Sequence, residues 1–244
     1  MTMTDDRVAT DLAALPRPTL EAMRAAGAEM QECERVLRKG GLNVVGEVLR
    51  GQGRFFKQHH YPKGDVFDRD SHAQYYYHAH REAEHGHFHT FLRAPGMPPG
   101  VAPVAEAAER DWPSGDKALA HIVAISMDKR GVPLRLFTTN RWVTGETWYP
   151  APDVIRMAER FEIDHAYPSW PTNRWITACL RLFRPQIAWL LQDRDRRLAA
   201  HAAAHPDRDP YADRSLETIS EMPVDPAAQI AALDRALAGP ARPG

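Results

Sequence analysis

The sequence predicts an α+β fold, in which a central antiparallel β-sheet built from hairpins is flanked by N-terminal and C-terminal helices. Three observations carry that expectation. Apolar residues recur every three or four positions towards both ends of the chain and at every second position in the middle. Turn-forming residues break the middle stretch into paired runs. No flexible linker divides the 244 residues into two cores, so 16–240 reads as a single domain behind a polar, unpatterned arm at 1–15, expected to be flexible.

The elements follow in order. Leu20, Met23, Gly27, Met30, Cys33 and Leu37 share one side of a helix that starts near Thr19, and Gly40-Gly41 supplies the stop. Asn43 is placed to cap a short helix over 44–50. Residues 54–70 carry His59-His60-Tyr61-Pro62-Lys63-Gly64-Asp65, with room for one short strand and a loop. From Gln74 the period becomes two. Residues 74–80 and 85–92 are aromatic-rich runs joined by Arg81-Glu82-Ala83-Glu84, which reads as a hairpin. After an irregular, proline-rich excursion over 93–115, Ala118–Met127 and Val132–Thr138 form a second hairpin around Asp128-Lys129-Arg130-Gly131. The last third is helical: 152–161, then 174–201, where Pro185 lacks the N–H owed to residue 181 and must kink or split the helix. A final helix begins at Asp225-Pro226 and continues through Ile230, Leu233 and Leu237.

Composition narrows the function. A formal net charge of -1 gives no electrostatic footprint for nucleic acid or an anionic membrane. No run reaches the roughly 18 apolar residues of a membrane helix, and Met1–Asp6 has neither the basic start nor the apolar core of a signal peptide. The expected setting is therefore the cytoplasm and the expected partner a small-molecule substrate. Cys33 and Cys179 are too isolated to form a disulfide framework or a thiolate zinc site.

Histidine placement is the informative feature: eight of twelve lie within 59–89. Side chains alternate faces along a strand, so Tyr76, His78 and His80 share one face of the first run, and His85, His87 and His89 share one face of the second. An even-numbered loop places all five histidines on one surface. A four-residue loop opposes His80 to His85, His78 to His87 and Tyr76 to His89, whereas a two-residue loop opposes His80 to His87 and His78 to His89. In either register His78, His80 and His87 are neighbours, with opposed Cβ atoms about 4.5–5.5 Å apart. Imidazoles at that spacing suit a transition metal, because each offers a neutral nitrogen at roughly 2.0–2.1 Å and can anchor its other N–H elsewhere.

The expected site thus has metal on His78, His80 and His87, with His85, His89 or a carboxylate (Glu82 or Glu84) completing the shell. Iron is the first choice and zinc the second; copper and nickel also suit imidazole. Glu84 and Tyr76 are the candidate catalytic groups, Tyr76 because it falls on the histidine face. The functional expectation is a metal-dependent enzyme acting on a small molecule, foremost a non-haem iron oxidoreductase, with a non-enzymatic metal-binding module as an alternative. His121 reads as a core histidine that becomes an additional ligand if its strand neighbours the hairpin. His59 and His60 read as part of a solvated loop.

Three resemblances attach to these residues. His78-Ala79-His80-Arg81-Glu82-Ala83-Glu84 resembles half of a cupin metal motif, which implies a β-barrel enzyme with metal on His78, His80 and Glu84. His85-Gly86-His87-Phe88-His89-Thr90-Phe91 resembles the histidine triad of nucleotide hydrolases and transferases, which implies His87 as a nucleophile in nucleotidyl or phosphoryl transfer. The longer string His78–Leu92, with His60-Tyr61-Pro62 upstream and the segment 216–222 before the last helix, is similar to an uncharacterised bacterial family of unknown function. That similarity spans most of the chain and implies no activity.

Overall fold

A computed structural model describes residue 12 and residues 14–239. Its centre is a six-stranded sheet in the order β1 (Tyr61–Phe67), β2 (Ala73–His78), β3 (Gly86–Arg93), β4 (Leu119–Met127), β5 (Pro133–Thr139) and β6 (Thr218–Pro223). Every neighbouring pair is antiparallel, so the chain runs up and down as an open meander with β1 and β6 at its edges. This corrects the barrel implied by the cupin resemblance: β1 and β6 do not pair.

Seven helices are present among the described residues: α1 (Arg17–Lys39), α2 (Val44–Leu49), α3 (Arg141–Thr144), α4 (Ala151–Ala158), α5 (Trp170–Leu182), α6 (Arg184–Ala204) and α7 (Pro226–Ala238). The Asn43 side chain accepts from the N–H groups of Val45 and Gly46, and Asp225 does the same for Ala227 and Ala228, so α2 and α7 begin where their capping residues dictate. The helical stretch containing Pro185 splits at Phe183 into α5 and α6, with the proline in the first turn of α6, where its missing N–H costs nothing.

Apolar side chains on one side of the sheet meet the helices. Tyr75 and Tyr77 of β2, Phe88 and Leu92 of β3, Ile125 of β4, Leu136 of β5 and Met222 of β6 join Met23, Met30, Val154, Trp175, Ile176 and Leu190 in one continuous core. α1 packs on α5 and α7, while α6 lies along β4, β5 and β6. The alternate residues of each strand face the other way, and the histidines are among them.

Two sequence expectations change here. Strand β6 goes beyond what the sequence predicts: it carries only three buried residues, Ile219, Ser220 and Met222, too weak an alternation to stand out. Within the arm expected over 1–15, Leu12 is buried in the core, because an apolar residue beside α1 finds an apolar surface. Of that arm, residues 1–11 and 13 lie outside the described residues, and Leu15 packs against the core.

Candidate metal centre

The β2–β3 hairpin adopts the register of a four-residue loop, with Tyr76 opposite His89 and His78 opposite His87. Across β3 and β4, His87 is paired with Ser126 and His89 with Ala124; the register then shifts, so that Phe91 meets His121. The irregularity matters for the site, because it brings His121 against His89. One row further across, Ala124 is opposite Phe137 of β5.

The three nitrogens of His78, His87 and His89 form the one group of potential ligands among the described residues in which all atoms lie within 4.8 Å of one another. His78 Nε2 stands 2.7 Å from His87 Nε2 and 3.1 Å from His89 Nε2. Bonds of roughly 2.0–2.1 Å to a tetrahedral ion would separate ligand nitrogens by about 3.3 Å, so a small adjustment suffices to fit one. The rings also have support on their far sides. His87 Nδ1 is hydrogen-bonded to Glu84 Oε1, and His89 Nδ1 lies 2.9 Å from His121 Nε2.

Protonation follows from burial. Removal from water pushes the His78 imidazole down to about 2, with His87, His80 and His60 adding in the same direction. His89 is likewise held well below its ordinary value by burial and by the surrounding rings. Burial lowers His87 as well, against the pull of Glu84. At Glu84 itself burial raises the carboxyl, but its bond to His87 and the nearby charges outweigh it, so the group is ionised at neutral pH. An ionised carboxylate only accepts; His87 therefore carries its proton on Nδ1 and presents a bare lone pair at Nε2. His78 Nε2 has at most one proton to share between two facing nitrogens. Bare lone pairs thus converge at one point, the arrangement a cation stabilises.

The other expected residues are distributed around this group. His80 lies beyond the end of β2 with its ring 5.0 Å from those of His78 and His87, and its Nδ1 is 3.7 Å from Glu217. His85 departs from the shared face: β3 starts at Gly86, and the His85 ring stacks on Phe55 with Nδ1 2.8 Å from the Tyr77 hydroxyl, on the helix-covered side. The alternation fails because His85 precedes the strand. Glu84 stands behind His87 rather than among the converging nitrogens, so the set His78, His80 and Glu84 implied by the cupin resemblance is not the set that converges. Glu82 is exposed at the hairpin tip. Tyr76 is buried between the rings of His78 and His89 at 5.2 Å, and His60 stacks on it at 3.6 Å, which brings His60 from its loop to the site's edge.

Sequence reasoning missed Glu146, in the connection between α3 and α4. Its Oε2 accepts from the His121 N–H at 2.6 Å and its Oε1 from Thr144 Oγ1 at 3.1 Å. Burial pushes this carboxyl up to about 7, against the opposing charges of Arg194 and Arg141. A lone glutamate 25 positions from its partner gives no local signal.

A family model described as Domain of unknown function (DUF6969) matches residues 24–224. The chain belongs to this family. No curated protein and no solved structure matches it. The DUF6969 span runs from within α1 to just beyond β6 and includes the whole sheet, all three converging histidines, Glu84, His121 and Glu146; α7 lies outside it. Among the described residues, no helix is long and apolar enough to cross a membrane.

Proposed function

We propose that this chain is a metal-dependent enzyme acting on a small molecule, with a transition metal on the Nε2 atoms of His78, His87 and His89. The observation that carries this reading is the convergence of three buried imidazoles whose far nitrogens are engaged by Glu84 at His87 and by His121 at His89. Three protein ligands leave positions for water, oxygen or substrate. Iron is the first choice and zinc the second, and the reaction class is oxidation, or hydration if the metal is zinc. His80 borders the group as a fourth imidazole, and His85 is the least suited of the five.

Within this proposal Tyr76 is the catalytic side chain. Burial, with Asp65 and Glu146 adding to it, holds its phenol above the ordinary range, so it remains a proton donor beside the rings of His78 and His89. Glu84 acts as a positioning residue through His87. Nucleotidyl transfer through His87 finds no support in the geometry, since the ring is fully buried and both nitrogens face partners.

The test is metal analysis of protein purified without a histidine tag, together with one absorption spectrum. One equivalent per chain, surviving gel filtration, is expected. Sub-stoichiometric metal after supplementation with iron, zinc, copper and nickel would overturn the reading.

A further inference from the structure

Two buried polar atoms on the histidine side of the sheet, Arg81 Nη1 at the hairpin tip and Thr139 Oγ1 on β5, have no hydrogen-bond partner among the described residues. Buried polar atoms are almost always paired, so each of these calls for a partner that the described residues do not supply. Thr139 lies two residues along β5 from Phe137 and therefore on the same side of the sheet. The Arg81 guanidinium carbon sits 4.5 Å from the centre of the Phe137 ring. That ring in turn stands 5.2 Å from His87 and 6.3 Å from His89. The aromatic face holds the guanidinium beside the histidine cluster while leaving Nη1 uncommitted.

We infer that Arg81, with the Thr139 hydroxyl, binds the carboxylate of a small organic acid and holds it beside the three-histidine centre. The inference rests on the proposed metal site and names its substrate class. Arg81 Nη2 is 3.8 Å from Glu221 Oε2, which also lies 3.5 Å from Arg135 Nη1, so Nη1 is the edge of the guanidinium left for a ligand oxygen. A planar fork is the donor that suits a planar carboxylate.

The test titrates acetate, succinate, benzoate, inorganic phosphate and the neutral control benzamide into wild type, R81M, R81K and T139V. Thermal stability and calorimetry report binding, and metal content is measured separately on each protein. At least one carboxylate should bind wild type saturably, benzamide should not, and R81M should weaken the carboxylate at least 10-fold at unchanged metal content. T139V should weaken it by a smaller factor. R81K, which keeps the charge but loses the fork, should fall between wild type and R81M, and it carries the comparison if R81M does not fold. The inference is overturned if no carboxylate saturates, if benzoate and benzamide behave alike, if phosphate binds more tightly than every carboxylate, or if both Arg81 variants bind as wild type does. Failure of the metal site is read from the metal content of wild type alone. Metal at one equivalent with no carboxylate binding sinks this inference and leaves the metal site standing.

Discussion

At the scale of single residues, each histidine ring in the site has two nitrogens with different duties. For His87 the division is set by Glu84, whose ionised carboxyl fixes the proton on Nδ1 and leaves Nε2 free. Glu84→Gln keeps the size of the side chain but removes the charge that makes the ring a better donor. Loss of such a supporting carboxylate typically costs 10–100-fold in metal affinity. That range is the expected outcome in a competition titration against a chelator, with the circular dichroism spectrum unchanged. An affinity equal to wild type would remove Glu84 from the centre. His78→Ala, His87→Ala and His89→Ala should each abolish metal retention. His85→Ala should not, because its ring belongs to the Phe55 and Tyr77 side of the sheet. His201→Ala is the control, since its ring is hydrogen-bonded to Asp213 and to none of the converging residues. Equal metal content across these variants would contradict the assignment.

The element that builds the centre is the β2–β3 hairpin, and its geometry depends on Gly86. A Cβ at this position would lie 2.6 Å from the His78 carbonyl oxygen and 2.6 Å from the end of the Tyr77 ring. The first of these is backbone, so relief requires the strands to separate where His78 and His87 are paired. Gly86→Ala is expected to destabilise the fold by about 1–3 kcal/mol, the usual range for forcing extra atoms into a filled site. It should also loosen metal retention, although it replaces no ligand. Denaturant unfolding and metal analysis of the same sample check both effects. A variant as stable as wild type would show that the strands yield there without cost. By contrast, a Cβ at Gly27 would meet mainly the flexible end of Ile230, so crowding at the α1–α7 contact can be relieved by side-chain movement and leaves the centre untouched.

For the whole molecule, a buried neutral histidine cluster ties stability to pH. His78, His87, His89 and His121 all have imidazoles lowered from 6.5 by burial. The unfolded chain therefore binds more protons than the folded one as pH drops below that value. Their contribution is fully present above pH 6.5 and is lost progressively as pH falls towards their depressed folded values. Glu146 has the opposite sign, because its carboxyl is raised to about 7 and protonates more readily in the folded state; it offsets about one histidine between pH 7 and 4.5. The balance favours loss. Metal-free protein should become markedly less stable between pH 7 and pH 5, and bound metal should move that loss to lower pH by occupying the lone pairs that protons seek. Unfolding free energies at pH 7.5, 6 and 5, with and without chelator, measure this. A flat profile in the metal-free protein would show that the cluster does not stay neutral in the fold.

The sequence by itself determined most of the elements and the face of the hairpin on which the histidines gather. Periodicity is a local property: the spacing of Leu20, Met23, Met30 and Leu37 requires one buried stripe on α1, and the alternation from Gln74 to Leu92 puts His78, His87 and His89 on one face once a four-residue loop is chosen. Caps and breakers are equally local, which is why Asn43, Asp225 and Pro185 mark boundaries found in the fold. Only tertiary structure decided what lies beside that face. His121 reaches His89 because the β3–β4 register shifts beyond His89, and no local pattern encodes that shift. His85 leaves the face because Tyr77 and Phe55, a neighbouring strand and a loop, offer its ring a better contact. Glu146, Thr139 and Arg81 acquire their environments from segments far away in the chain, and burial, which shifts a pKa or orphans a donor, exists only after those segments have packed.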